Sequence, residues 1–319
     1  MNSIIKRIPI PTAGLILALA AAGNLMSTYG YAYRYSFGIS AAILLILFII
    51  KIMYLPKSLI EGFENPVIAS VMPTFSMSLM ILATYIKPFL PTAALVVWVL
   101  GLMLHALLII CFTMKYILNF NVKKVFPSYF IVYVGIVCGS VTAPVFGMSN
   151  LGQYIFWFGF AAYLLLLPII LYRVLSVKEI QEPAIPTITI LAAPASLCLA
   201  GYLNSFQEKN LMIIVFLSIL STVMLISVLT YMPKMLKLKF YPSYSAFTFP
   251  FVITGIAFKG AYAFLVKAGI EISSILYLVK FLEAWSVSMV LYVLARYVSF
   301  IISDSESIGK KSITKAQSM

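Results

Sequence analysis

Apolar runs of about twenty residues, the length that crosses the hydrocarbon core of a bilayer, recur ten times along this 319-residue chain. They fall near 10–27, 36–54, 66–86, 91–117, 127–147, 151–174, 184–204, 210–232, 245–267 and 273–302. A water-soluble fold cannot hide them. The chain is 63% hydrophobic and 10% charged, with mean hydropathy +1.06, whereas about a quarter of a globular chain is charged. The expected class is an all-α polytopic membrane protein with one transmembrane domain over 1–302 and a polar, disordered tail over 303–319. The first run could pass for a secretory leader, with Lys6-Arg7 ahead of it and Ala20-Ala21-Ala22 within it. Pro9 and Pro11 open it as prolines open later runs, so it reads as a retained first helix.

Charge gives orientation. Sixteen Lys and Arg lie at the N-terminus and after the even-numbered spans, against four on the other side: Arg34, Lys87, Lys209 and Lys267. That bias places both termini in the cytoplasm of a multi-pass protein of the plasma (inner) membrane. The net charge of +13 is scattered through short loops and forms no stripe with stacking aromatics, so no nucleic-acid partner is expected. Cys111, Cys138 and Cys198 lie inside apolar runs without metal-ligand or disulfide spacing. No metal-binding histidine motif, phosphate-binding loop or paired carboxylates appear. The chain reads as a non-enzyme, without cofactor or metal.

A repeat organises the spans. Pro11, Pro66, Pro127, Pro186 and Pro242 open the odd-numbered ones, spaced by 55, 61, 59 and 56 residues. A period near sixty is one helical hairpin, so the ten helices form five hairpins. Inner prolines follow at Pro73, Pro144, Pro194 and Pro250, and the odd spans hold most of the small and hydroxyl residues. Kinks and hydroxyls are tolerated in a membrane where they line a cavity or meet neighbouring helices. The odd helices are therefore expected to close a quasi-fivefold ring around a central pore, with the even helices outside.

The ninth span carries the densest set of non-anchor residues, Ser245-Ala246-Phe247-Thr248-Phe249-Pro250 through Gly260. On a helix Phe249, Ile256 and Gly260 share a face, with Lys259 roughly 80° away. A bulky ring above small and apolar residues suits a plug in a conduit, and it equally suits helix packing.

With these features the chain resembles the tellurite-resistance/dicarboxylate transporter family of anion channels and carriers over about residues 8–300. The resemblance is carried by the five hairpins, by Ile10-Pro11-Thr12-Ala13-Gly14-Leu15 in the first span, and by Ala246-Phe247-Thr248-Phe249-Pro250 in the ninth. It implies a homotrimer with a separate pore in each subunit, Phe249 as the ring that closes the pore, and Gly14 as the position that makes room beside it. The implied function is passive permeation of small monovalent anions such as chloride or nitrate through an uncharged pore. The alternative is a proton-coupled carrier of C4-dicarboxylates such as malate, or of sulfite. Two departures stand out: Leu15-Ile16-Leu17-Ala18 lacks a further proline and glycine, and Phe247 stands where relatives carry tyrosine.

The other candidates each have two readings. Ser76, Ser140 and Ser196 could line the pore with hydroxyls, together with Pro250, Ile256 and Gly260, or bind carbonyls of the preceding turn. Lys259, in mid-membrane, could attract anions or join Lys280 and Glu283 in a cluster that pins the last hairpin. The depths of the antiparallel helices favour the cluster. His105 could relay protons or pack. Partners are then membrane lipid and small inorganic or organic anions.

Overall fold

The computed structural model describes residues 2–316, with side chains over 4–302. Nine helical stretches among the described residues are long and apolar enough to cross a membrane. They are α1 (Thr12–Tyr29), α2 (Tyr31–Tyr54), α3 (Pro66–Ile86), α4 (Pro91–Ile117), α6 (Ser149–Val177), α7 (Glu182–Ser205), α8 (Leu211–Met235), α9 (Pro242–Lys267) and α10 (Ser273–Ile302). The remaining expected span, 127–147, is not one helix. It is broken into Tyr129–Tyr133, Val137–Thr142 and the 3₁₀ turn Ala143–Phe146, the last two forming α5 (Val137–Phe146). Gly135 lies in the first break and Pro144 in the 3₁₀ turn. A residue without Cβ and one without an amide donor both weaken a helix at those points. The tail expected over 303–319 lies outside the described side chains.

The odd helices form the interior. α1 packs on α3, α3 on α5, α5 on α7, α7 on α9, and α9 back on α1, which closes a five-membered ring. Each even helix lies against its own hairpin partner outside that ring. The division is quantitative. In α1, α3, α7 and α9 the apolar stretch is 72, 78, 89 and 56% buried, against 22–33% in α2, α4, α6, α8 and α10. Ile39, Ile43 and Ile46 of α2 and Met103, Leu107 and Ile110 of α4 face outward, a surface that only lipid or another subunit can cover.

Proline sets the shape of the ring. α1 begins directly after Pro11, and α3 is interrupted between Val71 and Thr74, at Pro73. α7 runs as a 3₁₀ helix over Glu182–Ala192 and becomes α-helical at Ala193-Pro194. α9 is 3₁₀ over Pro242–Phe247, turns at Thr248 (φ −114°, ψ −82°) and is α-helical from Phe249-Pro250. Each proline removes a donor, and the carbonyls around it need other partners inside a bilayer. Hydroxyls close to these prolines bond carbonyls of their own turn: Thr74 Oγ1 donates to Val71 O (2.7 Å), Ser76 Oγ to Pro73 O (2.7 Å), Ser196 Oγ to Ala192 O (3.0 Å) and Thr248 Oγ1 to Ser245 O (2.6 Å).

Candidate functional site

Among the described residues two cavities lie within the ring, one above the other. The first, about 440 Å³, lies where the odd helices begin and takes wall residues from four of them and from the segment before α5: Gly14 and Leu17, Thr74 and Met77, Val134 and Gly135, Pro194 and Leu197, Phe249 and Pro250. The second, about 430 Å³, lies towards their far ends and takes wall from all five: Ala21, Ile81, Cys138, Leu197 and Ile253, among others. We call them the N-side and C-side cavities.

Between the two walls the inner helices advance by one turn. Leu17 gives way to Ala21, Met77 to Ile81, Val134 to Cys138 and Phe249 to Ile253, while Leu197 belongs to both. The two walls thus follow one another within about 6 Å along the helices, four residues at about 1.5 Å each, and every residue named at that step is uncharged. Phe249, 7% exposed, stands at the N-side of that step, at the first α-helical position after the turn at Thr248.

The cavities carry cations without carboxylates. Lys51 of α2 reaches the N-side wall, its Nζ donating to the Ile8 carbonyl. Arg34 and Lys87 line the C-side cavity with Asn24, Ser27, Thr84 and Asn204. The Arg34 guanidinium lies over the Tyr85 ring at 4.6 Å, and its Nε and Nη2 donate to Asn24 Oδ1 and the Thr84 carbonyl, each at 3.2 Å. Lys87 Nζ sits 5.5 Å from the centre of the Phe146 ring. No Asp, Glu or His is among the wall residues of either cavity. Sequence reasoning counted these three cations only towards topology. For Lys51 a signal was present, since it interrupts the run Ile49-Ile50-Lys51-Ile52-Met53.

The sequence candidates divide. Gly14, Phe249 and Pro250 line the N-side cavity and Ile256 the C-side one. Gly14 abuts Ser245 rather than the Phe249 ring: a Cβ there would lie 3.2 Å from Ser245 Cβ and Oγ. Gly260 lines neither cavity and faces Leu203. Ser76, Ser140 and Ser196 also fall outside both walls, because their hydroxyls are engaged between helices. Besides Pro73 O, Ser76 Oγ lies 2.9 Å from His105 Nδ1. Ser140 Oγ donates to Ser205 Oγ (3.1 Å), and Ser196 Oγ lies 2.9 Å from Thr254 Oγ1. His105 is fully buried, its Nε2 donating to the Val132 carbonyl (3.0 Å), so it ties α4 to α3 and to the segment before α5.

Lys259, Lys280 and Glu283 do meet. Lys259 Nζ lies 2.5 Å from Glu283 Oε1 and donates to Leu25 O (2.8 Å) and Thr28 Oγ1 (2.7 Å), while Lys280 Nζ is 3.4 Å from Glu283 Oε2. Tyr29 OH donates to the same Oε2 at 2.6 Å. The cluster joins the end of α1 to α9 and α10 and lies off the cavity walls.

Fold and cavities together define an all-α polytopic membrane protein with two cavities inside its ring of inner helices. Residues 7–298 match the voltage-dependent anion channel family, and the chain belongs to that family. No match is found among curated proteins. Family membership makes the chain an anion channel or transporter, in keeping with the resemblance drawn from the two proline motifs.

Proposed function

We propose that the protein is a passive channel for small monovalent anions, chloride and nitrate in particular, closed at rest by Phe249. The observation that carries this reading is the one-turn, uncharged barrier between two cavities whose only charged wall residues are cationic. Unpaired positive charge in a low-dielectric funnel raises the local concentration of anions and repels cations. A thin apolar barrier offers no site that would hold an anion for long. In this reading the N-side cavity opens to the cytoplasm of a plasma-membrane protein, and the exposed even helices face lipid or two further subunits of a homotrimer.

A proton-coupled carrier would need a carboxylate or imidazole at the barrier. The residues there are Leu17, Met77, Val134, Leu197 and Phe249 on one side, and Ala21, Ile81, Cys138 and Ile253 on the other. Vesicles holding the purified protein, a chloride gradient and an internal pH dye separate the readings. Chloride efflux that needs only a potassium shunt, with no obligatory proton movement, is the result expected for a channel. Saturable malate or sulfite uptake driven by an inward proton gradient would replace the channel by the carrier.

A further inference from the structure

Among the described residues Lys51 is the only charged side chain on the wall of the N-side cavity, and it is 6% exposed. Among the described residues no carboxylate pairs with it, and its ammonium donates only to the Ile8 carbonyl. Buried charges are ordinarily paired, because desolvating them is costly. The intramembrane lysines of α9 and α10 follow that rule, since Lys259 and Lys280 share Glu283. Lys51 departs from it on the wall of a cavity of about 440 Å³, within the size range of small-molecule sites.

The rest of that wall decides what would pair with it. Val71, Met77, Val134, Ile190 and Leu197 make it largely apolar, and Phe249 stands at its inner end. Lys51 sits near the mouth, beside the residues that precede α1. An inorganic anion would use the ammonium and gain nothing from the walls. An anion with an apolar tail would use both. We propose that the N-side cavity binds medium-chain monocarboxylates, of about six to ten carbons for a cavity of this size. The carboxylate pairs with Lys51, the tail runs inward to Phe249, and the bound acid blocks the pathway. Binding follows from the cavity alone; only the block rests on the channel reading.

The test is equilibrium binding of radiolabelled octanoate to the full chain in lipid nanodiscs, with empty discs as background. Affinity is expected to rise about fourfold per methylene from butyrate to octanoate. It should fall at least tenfold in Lys51→Met and survive in Lys51→Arg, while octanol shows no dependence on Lys51. Should Lys51→Met fail to fold, Val71→Phe narrows the cavity and is expected to weaken octanoate more than butyrate. Binding equal to that of empty discs, or unchanged in Lys51→Met, overturns the proposal, as does the absence of any chain-length dependence. In bilayers, octanoate on the N-side is expected to reduce chloride current through Phe249→Ala and to leave Phe249→Ala/Lys51→Met unaffected. Octanoate binding without chloride current in any variant would reject the channel and keep the site. Current without binding would do the reverse.

Discussion

Glu283 is the residue on which the last hairpin turns. It is 3% exposed and takes a salt bridge from Lys259, a second from Lys280 and a hydrogen bond from Tyr29. Removing its charge leaves Lys259 without a counter-ion between α1, α9 and α10. Because both lysines keep some access to solvent, Glu283→Gln is expected to cost about 1–3 kcal/mol, below the full range for an isolated buried charge. Thermal unfolding in detergent measures it, and adding Lys259→Met should recover part of the loss. At Gly14 the neighbour is Ser245, 3.2 Å from where a Cβ would stand. Gly14→Val is expected to destabilise by about 1–3 kcal/mol through overpacking. Ser245→Gly in the same chain should relieve it, whereas Phe249→Ala should not. The reverse pattern would show that Gly14 makes room for the ring itself.

At the scale of elements, the proline period carries most of the information. Hairpins, inner against outer helices and ring closure all follow from Pro11, Pro66, Pro127, Pro186 and Pro242 with the apolar runs between them. The role of the hydroxyls was harder to read. Ser76 and Ser196 lie close to the inner prolines Pro73 and Pro194, and the sequence left them either as pore hydroxyls or as bonds to the preceding turn. Both hydroxyls instead bond carbonyls of the preceding turn and partners on neighbouring helices, His105 for Ser76 and Thr254 for Ser196. The break in the fifth span was written in Gly135 and Pro144, but hydropathy averages over such breaks. In α9 the turn at Thr248 sets where Phe249 stands. Pro250→Ala restores an amide that can bond the Ala246 carbonyl and extend the α-helix backwards, moving the ring off the axis. Chloride flux into vesicles is expected to rise at least severalfold over wild type, and unchanged flux would show that the turn does not position the ring.

On the channel reading, the whole molecule acts as an electrostatic funnel on either side of an apolar barrier. Its cations come from outside the inner ring or from its ends: Lys51 and Arg34 from α2, and Lys87 from the loop after α3. That is why sequence patterning assigned them to topology, since the face a loop or outer-helix residue presents depends on packing that no local period records. The Lys87 ammonium lies over the Phe146 ring, on the C-side wall, with no carboxylate beside it on that wall. Lys87→Gln should therefore lower anion current driven from the C-side, by more at 10 mM salt than at 1 M, where screening falls to about 3 Å. Equal loss at both concentrations would contradict a field effect. The most direct test of the plugged pathway is current across planar bilayers under a chloride gradient, for wild type and Phe249→Ala. A pore closed by this ring predicts a quiet wild type and a large mutant current that reverses near the chloride equilibrium potential. Silence in both, with matching elution and unfolding profiles, would contradict it.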